Sequence, residues 1–267
     1  MNSRIKAVKA PGVLYQWTWL ELIEAFHHRP KALFAELEGG AAICIRQFLS
    51  RAAVKQLRDR LFCFRAEEAE GWQACVDGCP DYHRAIDENP FSRIKTRMRV
   101  FQFHRWNNHS DLFQPFFRIF ELKARLAGRL LSEIYDNVPS QIIIPRLTVN
   151  HYPVGGGYLA EHVDPVGDFA KVQTLVQLSE RGKDFTQGGL YYRSSIAGQK
   201  ISLEEALEPG DLLLLSPGLP HGVEAIDPDQ PLDWKSRRGR LMAVPIIVHS
   251  DCSLDATMRS KMVKSDY

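Results

Sequence analysis

A mainly β fold, a double-stranded β-helix of the jelly-roll or cupin kind with helical support, is predicted by three observations. Seven or eight short apolar runs follow one another between residues 141 and 249, each bounded by Gly, Pro, Asn or Asp. The 3.6-residue apolar period of a helix is found before residue 140 and not after it. A His-x-Asp triplet, a second histidine and an arginine fall at the edges of those runs.

The elements follow in order. Trp19, Leu22, Ile23 and Phe26 stand at helical spacing and make an apolar stripe that Pro30 ends. Lys31 to Leu37 is a second short helix, closed by Gly39-Gly40. Ala42-Ile-Cys-Ile reads as a strand, and Ser50 as the N-cap of a helix from Arg51 to Leu61 with Val54 and Leu57 inward. A long helix is expected from Asp111 to Asn137, with Phe113, Phe116, Phe117 and Phe120 on one face against the barrel. Arg93, Lys95, Arg97 and Arg99 alternate along Ser92 to Phe103, which predicts an edge strand guarded by charge or a cationic wall for an anionic substrate. Beyond residue 140 come Leu147 to Tyr152, a Gly-Gly-Gly turn, Lys171 to Leu178, Gln187 to Tyr192, Leu212 to Ser216, and Leu241 to Val248. One catalytic domain is expected over 1–267, with support and a substrate region in 1–140, the β-helix in 141–249 and a tail in 250–267.

Composition sets the outer bounds. Apolar residues at 45% and charged ones at 25% suit a globular core, and a net charge of +2 argues against nucleic-acid or membrane partners. No apolar run is long enough to span a bilayer. The five cysteines form no framework of paired spacings, which suits a reducing, cytoplasmic setting. Cys75, Cys79 and His83 fall short of a zinc site for want of a fourth ligand nearby.

The chemistry rests on His162-Val-Asp164, with His221 57 residues after Asp164 and Arg240 another 19 on. Two imidazole nitrogens and one carboxylate oxygen occupy one face of an octahedron and leave three positions open, the ligand set of non-heme Fe(II) oxygenases. Arg240 adds a planar fork of donors suited to a carboxylate, and 2-oxoglutarate carries two of them. By strand alternation Asn150 and Tyr152 share one face, and Thr174, Val176 and Leu178 another. These are expected as pocket walls, with Asn150 and Thr174 able to hydrogen-bond cosubstrate or substrate.

The segment from Tyr152 through His162-Val-Asp164 to Asp168, the Gly188-Gly189-Leu190 turn, Pro209-Gly-Asp211, His221 and Arg240 resembles the prolyl-hydroxylase-type 2-oxoglutarate oxygenases over residues 140 to 248. The resemblance implies that His162, Asp164 and His221 bind Fe(II), that Arg240 salt-bridges the distal carboxylate of 2-oxoglutarate, and that Tyr152 lines its pocket. It implies that O2 is consumed and succinate and CO2 released as a substrate C–H bond is oxidised. The chain departs from the oxygen-sensing subgroup at Leu178, placed where those enzymes carry a second tyrosine. Asp164 argues against halogenases of the class, which lack the carboxylate. The substrate is expected to be a small polar metabolite bearing a carboxylate, held by an arginine of the 93–105 segment. A peptidyl hydroxylase and a metal-binding cupin that is not an oxygenase are the alternatives.

Overall fold

The computed structural model describes residues 5–7, 13–63, 82–88, 92–104, 110–135, 143–194 and 198–249. The N-terminal helices form as their caps dictate. Helix α1 (Trp19–His28) opens on a capping box in which Thr18 and Glu21 satisfy each other's backbone N–H groups, and it buries Leu22, Ala25 and Phe26. Pro30 stops α1 and begins α2 (Pro30–Glu38), where its missing N–H costs nothing. The Ser50 side chain caps α3 (Arg51–Leu61), which turns Val54, Leu57 and Leu61 inward. Two strands, β1 (Ile5–Ala7) and β2 (Val13–Trp17), precede α1, and β3 (Ala42–Ile45) lies between α2 and α3.

The helix expected over 111–137 is not continuous. A 3-10 stretch, Ser110–Phe116, leads into α4 (Phe117–Leu126), and α5 (Ser132–Tyr135) is separate. Pro115 has no N–H to give, so the tighter winding ends only after it. Gly128 at φ 71° then terminates α4. Phe113, Phe116 and Phe120 are buried in the main core as expected, but Phe117, the first residue of α4, is turned outward and exposed.

Two more strands, β4 (Tyr82–Asp87) and β5 (Thr96–His104), precede the barrel proper. The barrel runs from β6 (Ile143–Pro153) and β7 (Gly157–His162) through β8 (Gln173–Gln177), β9 (Gly189–Arg193) and β10 (Lys200–Ser202). It ends with β11 (Leu212–Leu215), β12 (His221–Ile226) and β13 (Gly239–His249). Within the strand order, β11-β8-β13-β6 makes one sheet and β7-β12-β9-β10 the other, with β5 bridging β6 and β7. Strands close in sequence therefore alternate between two facing sheets, which defines a double-stranded β-helix.

The two faces of the larger sheet carry different cores. Leu147, Val149, Val176, Leu178, Leu212, Leu214, Leu241 and Ala243 pack outward on the helices and their phenylalanines. Leu175, Leu213, Leu215 and Met242 point inward to meet Leu190 and Tyr192 of the smaller sheet. A tight turn from Glu208 to Asp211 leads into β11: Asp211 accepts hydrogen bonds from the backbone of Gln47 and Glu208 and pairs with Arg46. Gly210 at φ 97° is required there, because a Cβ would stand 2.2 Å from the Leu49 carbonyl oxygen.

β5 is not the edge strand that its arginines suggest. It is paired with β4, β6 and β7. Arg97 meets Asp87 and Glu88, while Arg99 is buried against the Phe62 and Phe101 rings with its guanidinium on the Trp234 carbonyl. Cys75, Cys79, Arg105 and the tail from residue 250 lie outside the described residues. Among the described residues, no helix is long and apolar enough to cross a membrane.

Candidate metal centre

The second histidine comes to the first by strand pairing. His221 at the start of β12 lies opposite His162 at the end of β7, and the next pair is Val223 with Leu159. β12 advances two residues between those pairs and β7 three, so β7 carries a bulge. The extra residue re-aims the strand end so that His162 joins His221 instead of facing away. Asp164 follows just beyond the strand, tied by its N–H to the Pro217 carbonyl (3.1 Å) in the loop that leads to His221.

One ligand atom from each of His162, Asp164 and His221 falls within 4.8 Å of the others. Each ring is fixed by its other nitrogen: His162 Nδ1 donates to the Ala160 carbonyl (2.9 Å) and His221 Nδ1 to that of Leu219 (2.8 Å). Assigned from this network, both tautomers leave Nε2 as a bare lone pair. The two Nε2 atoms stand 3.4 and 3.5 Å from the oxygens of Asp164. Burial opposes ionisation of Asp164, but the two imidazoles beside it outweigh that and hold the carboxyl well below the usual range. Gln173 on β8 donates to Asp164 Oδ2 (2.7 Å) and fixes its orientation. Two oriented imidazoles and one ionised, hydrogen-bonded carboxylate fit a divalent cation of borderline hardness, and backbone carbonyls behind both rings complete the support such ligands need.

Arg240 and Tyr152 are neighbours across β13 and β6. Arg240 is fully buried, yet its fork is already engaged: Nε donates to Glu204 Oε2 (2.8 Å), Nη2 to Gln177 Oε1 (3.2 Å) and Nη1 meets Met242 Sδ (3.3 Å). Glu204 comes from a 3-10 turn, Glu204–Ala206, between β10 and β11, a segment with no distinctive sequence signal. Its acidic pair with Glu205 reads as a solvated turn, and only the arginine opposite it reveals otherwise. Burial pushes the Tyr152 hydroxyl up to about 12 against the lowering influences of Arg240 and Asn150, while Asp164 adds to the rise. That places Tyr152 in the field of both the arginine and the metal ligands.

The face of β8 expected to line the pocket is its outer one. Val176 and Leu178 pack on the outer core with the helices, and Thr174 on the same parity donates to the Pro245 carbonyl (3.2 Å). Thr174 and Leu178 therefore line no inner pocket. The inner face belongs to Gln173, Leu175 and Gln177, and Gln177 rather than Leu178 stands against Arg240. Apolar residues stand on both sides of β8, Leu175 inward and Val176 outward, so alternation groups the residues without saying which group is inner. Asn150 keeps its expected inward parity with Tyr152, beside Thr148 and Gln102, whose buried oxygens find no partner among the described residues.

Among the described residues of the basic segment, none reaches the His162, Asp164 and His221 cluster. Arg93 and Lys95 are exposed, Arg97 is held by acids of the β4 end, and Arg99 lies on the helix side of the sheet. The inward face of β5 carries Met98, Val100 and Gln102 instead. Glu161 points outward to Arg193, and Arg237 and Arg238 sit exposed in the loop before β13.

No protein-family model matches the sequence, and no curated protein matches it. Solved structures do match. A prolyl hydroxylase from Trichoplax adhaerens, in complex with a hypoxia-inducible-factor degradation-domain fragment, superposes with a TM-score of 0.52 at 14% identity, over 89% of this chain and 96% of that one. The fold is that of a prolyl hydroxylase. A Pseudomonas putida prolyl-4-hydroxylase (TM-score 0.49, 16% identity, 81% and 97% of the two chains) is also similar. So is an oxidoreductase of the 2OG-Fe(II) oxygenase family from Burkholderia pseudomallei (TM-score 0.43, 10% identity, 80% and 88%).

Proposed function

We propose that this chain is an Fe(II)- and 2-oxo-acid-dependent oxygenase that consumes O2 and oxidises a small polar metabolite bearing a carboxylate. 2-Oxoglutarate is the cosubstrate that the sequence resemblance implies. One observation carries the reading: the bare Nε2 atoms of His162 and His221 converge on an ionised Asp164 at the inner mouth of a prolyl-hydroxylase fold. When bound, Fe(II) with a 2-oxo acid as co-reductant would activate O2, the oxidant, toward an unactivated C–H bond.

The chain's own residues do the rest. His162, Asp164 and His221 hold the metal from one side and leave the other for cosubstrate and O2. Gln173 keeps the carboxylate of Asp164 from rotating. Arg146 supports the choice of an anionic substrate. It is buried on the inward parity of β6, its Nε donating to His104 Nε2 (3.1 Å). Arg146 pairs across to Ile246 on β13, and on the other side of β13 Thr174 reaches Pro245, which brings Gln173 level with them. Arg146 and Gln173 are thus two strands apart, about 10 Å. That separation suits a guanidinium that orients a substrate carboxylate while the reacting carbon lies near the metal.

The test is anaerobic loading with Fe(II), or Mn(II) as a redox-inert substitute, followed by thermal unfolding. Ligand at a hundredfold over its Kd adds about 2.7 kcal/mol, a rise of roughly 5–10 °C for a chain of this size. His221→Ala and Asp164→Gly are expected to abolish the rise and the 2-oxo-acid-dependent oxidation while still folding. Equal metal stabilisation of wild type and both variants would refute the site.

A further inference from the structure

The arginine that ought to hold a dicarboxylate cosubstrate already holds a carboxylate of this chain. Arg240 and Glu204 are each wholly inaccessible, and their contact is 2.8 Å. Glu204 is a built component of the barrel. Its Oε2 also accepts the Leu190 N–H (2.8 Å), and its Oε1 accepts Gln177 Nε2 (2.6 Å). Gln177 then turns its own Oε1 to Arg240 Nη2, which closes a ring of three side chains. The fold leaves room for the intruding carboxylate: at Gly189, φ 124°, a Cβ would stand 2.6 Å from Glu204 Cγ. Any other residue there would collide with Glu204 and would also strain the backbone.

We infer that this internal pair has replaced the ion-pair subsite for the cosubstrate's far end, so that the chain uses a 2-oxo acid with an uncharged tail. The inference rests on the 2-oxo-acid reading above and narrows it. An arginine with no internal partner offers one net positive charge to an incoming carboxylate. Here Arg240 and Glu204 sum to zero, and the remaining neighbours, Gln177, Tyr152, Asn150 and Met242, are neutral. A second carboxylate would enter a buried site beside Glu204, where the charge of Arg240 is already matched, and would lose its hydration with little in return. An ester, amide or hydroxyl tail meets no such penalty. Tyr152 and the guanidinium hydrogens that Glu204 does not use remain as donors for it.

The experiment compares 2-oxoglutarate with its 5-methyl ester, which has the same chain length and chelating end but no distal charge. The Fe(II)-loaded protein is titrated anaerobically, and the visible charge-transfer band of bidentate 2-oxo-acid chelation is followed. The wild type is expected to bind the ester at least about tenfold more tightly than 2-oxoglutarate. Glu204→Gln keeps the shape and frees the charge of Arg240, and is expected to reverse the preference by gaining about tenfold or more for 2-oxoglutarate alone. The double variant Glu204→Gln with Arg240→Gln removes both charges and is expected to keep the wild-type preference; it serves also where the single variant fails to fold. Tighter binding of 2-oxoglutarate than of the ester by the wild type overturns the inference and leaves the oxygenase reading standing. If Fe(II) binds but neither acid gives a band, the 2-oxo-acid reading itself has failed, and this inference with it.

Discussion

Two histidines buried on opposite faces of the same β5–β6 pairing make acid stability a direct measure of the packing around the site. His104 lies on the inner side beside Arg146, and His151 on the helix side beneath Phe62. Burial, aided by Arg146 in the first case and Arg99 in the second, pulls both rings down from 6.5 to about 3. Each ring is therefore neutral when folded and charges only on unfolding. A depressed histidine contributes stability that is present above about pH 6.5 and is lost as pH falls toward about 3, because the unfolded chain binds the proton and the folded chain does not. Between pH 7 and pH 5 each ring accounts for a loss of about 2 kcal/mol, and the pair for about 4. Urea unfolding of the metal-free protein at the two pH values measures it. His104→Gln and His151→Gln are each expected to lose about 2 kcal/mol less than the wild type over that interval, whatever each variant costs at pH 7. Equal losses in all three proteins would mean that the rings protonate while folded, and that the interior around Arg146 is open to water.

Two further contrasts separate the inner face of the barrel from the outer one. Leu178→Ala is expected to cost about 2–5 kcal/mol of stability with cosubstrate affinity unchanged, because Leu178 packs on the helices. Gln177→Leu is expected to weaken 2-oxo-acid binding several-fold in the same titration, because Gln177 links Arg240 to Glu204. For the substrate, Arg146→Leu is expected to raise KM and to uncouple 2-oxo-acid decarboxylation from substrate oxidation. Arg99→Leu is expected to change thermal stability and leave KM alone, since Arg99 lies between Phe62 and Phe101. Unchanged KM in the Arg146 variant would remove the support for an anionic substrate.

The parts of the molecule that could be read from the chain are those whose cause is local. Ser50 announces the start of α3, and Pro30 the end of α1, because a cap or a break acts within four residues. The convergence of His162, Asp164 and His221 was legible for a different reason: that residue set is the one a facial metal site would demand, and few arrangements of neighbouring strands supply it. What failed was parity and partnership. β8 carries apolar residues on both faces, so its composition does not say which face is inner, and taking the wrong face exchanged Gln177 for Leu178. The arginines of β5 alternate as a guarded edge would, but the acids of β4 and the rings of Phe62 and Phe101 that absorb two of them come from elsewhere in the chain.

Glu204 is the sharpest case of a residue whose meaning is wholly non-local. By itself Leu203-Glu204-Glu205-Ala206 is a polar turn. Its burial depends on Arg240, 36 positions away, on Gln177, 27 positions away, and on the missing side chain of Gly189. Remove any one of the three and a carboxylate cannot remain there: it would be uncompensated, under-bonded or sterically excluded. The converse also holds. Once Glu204 is in place, Arg240 ceases to be the free cation that its position in the sequence suggests, although its residue type and register are those of a carboxylate receptor. A motif match fixes what a side chain is and where its backbone lies; its available charge is decided by whatever the rest of the fold has already brought to it.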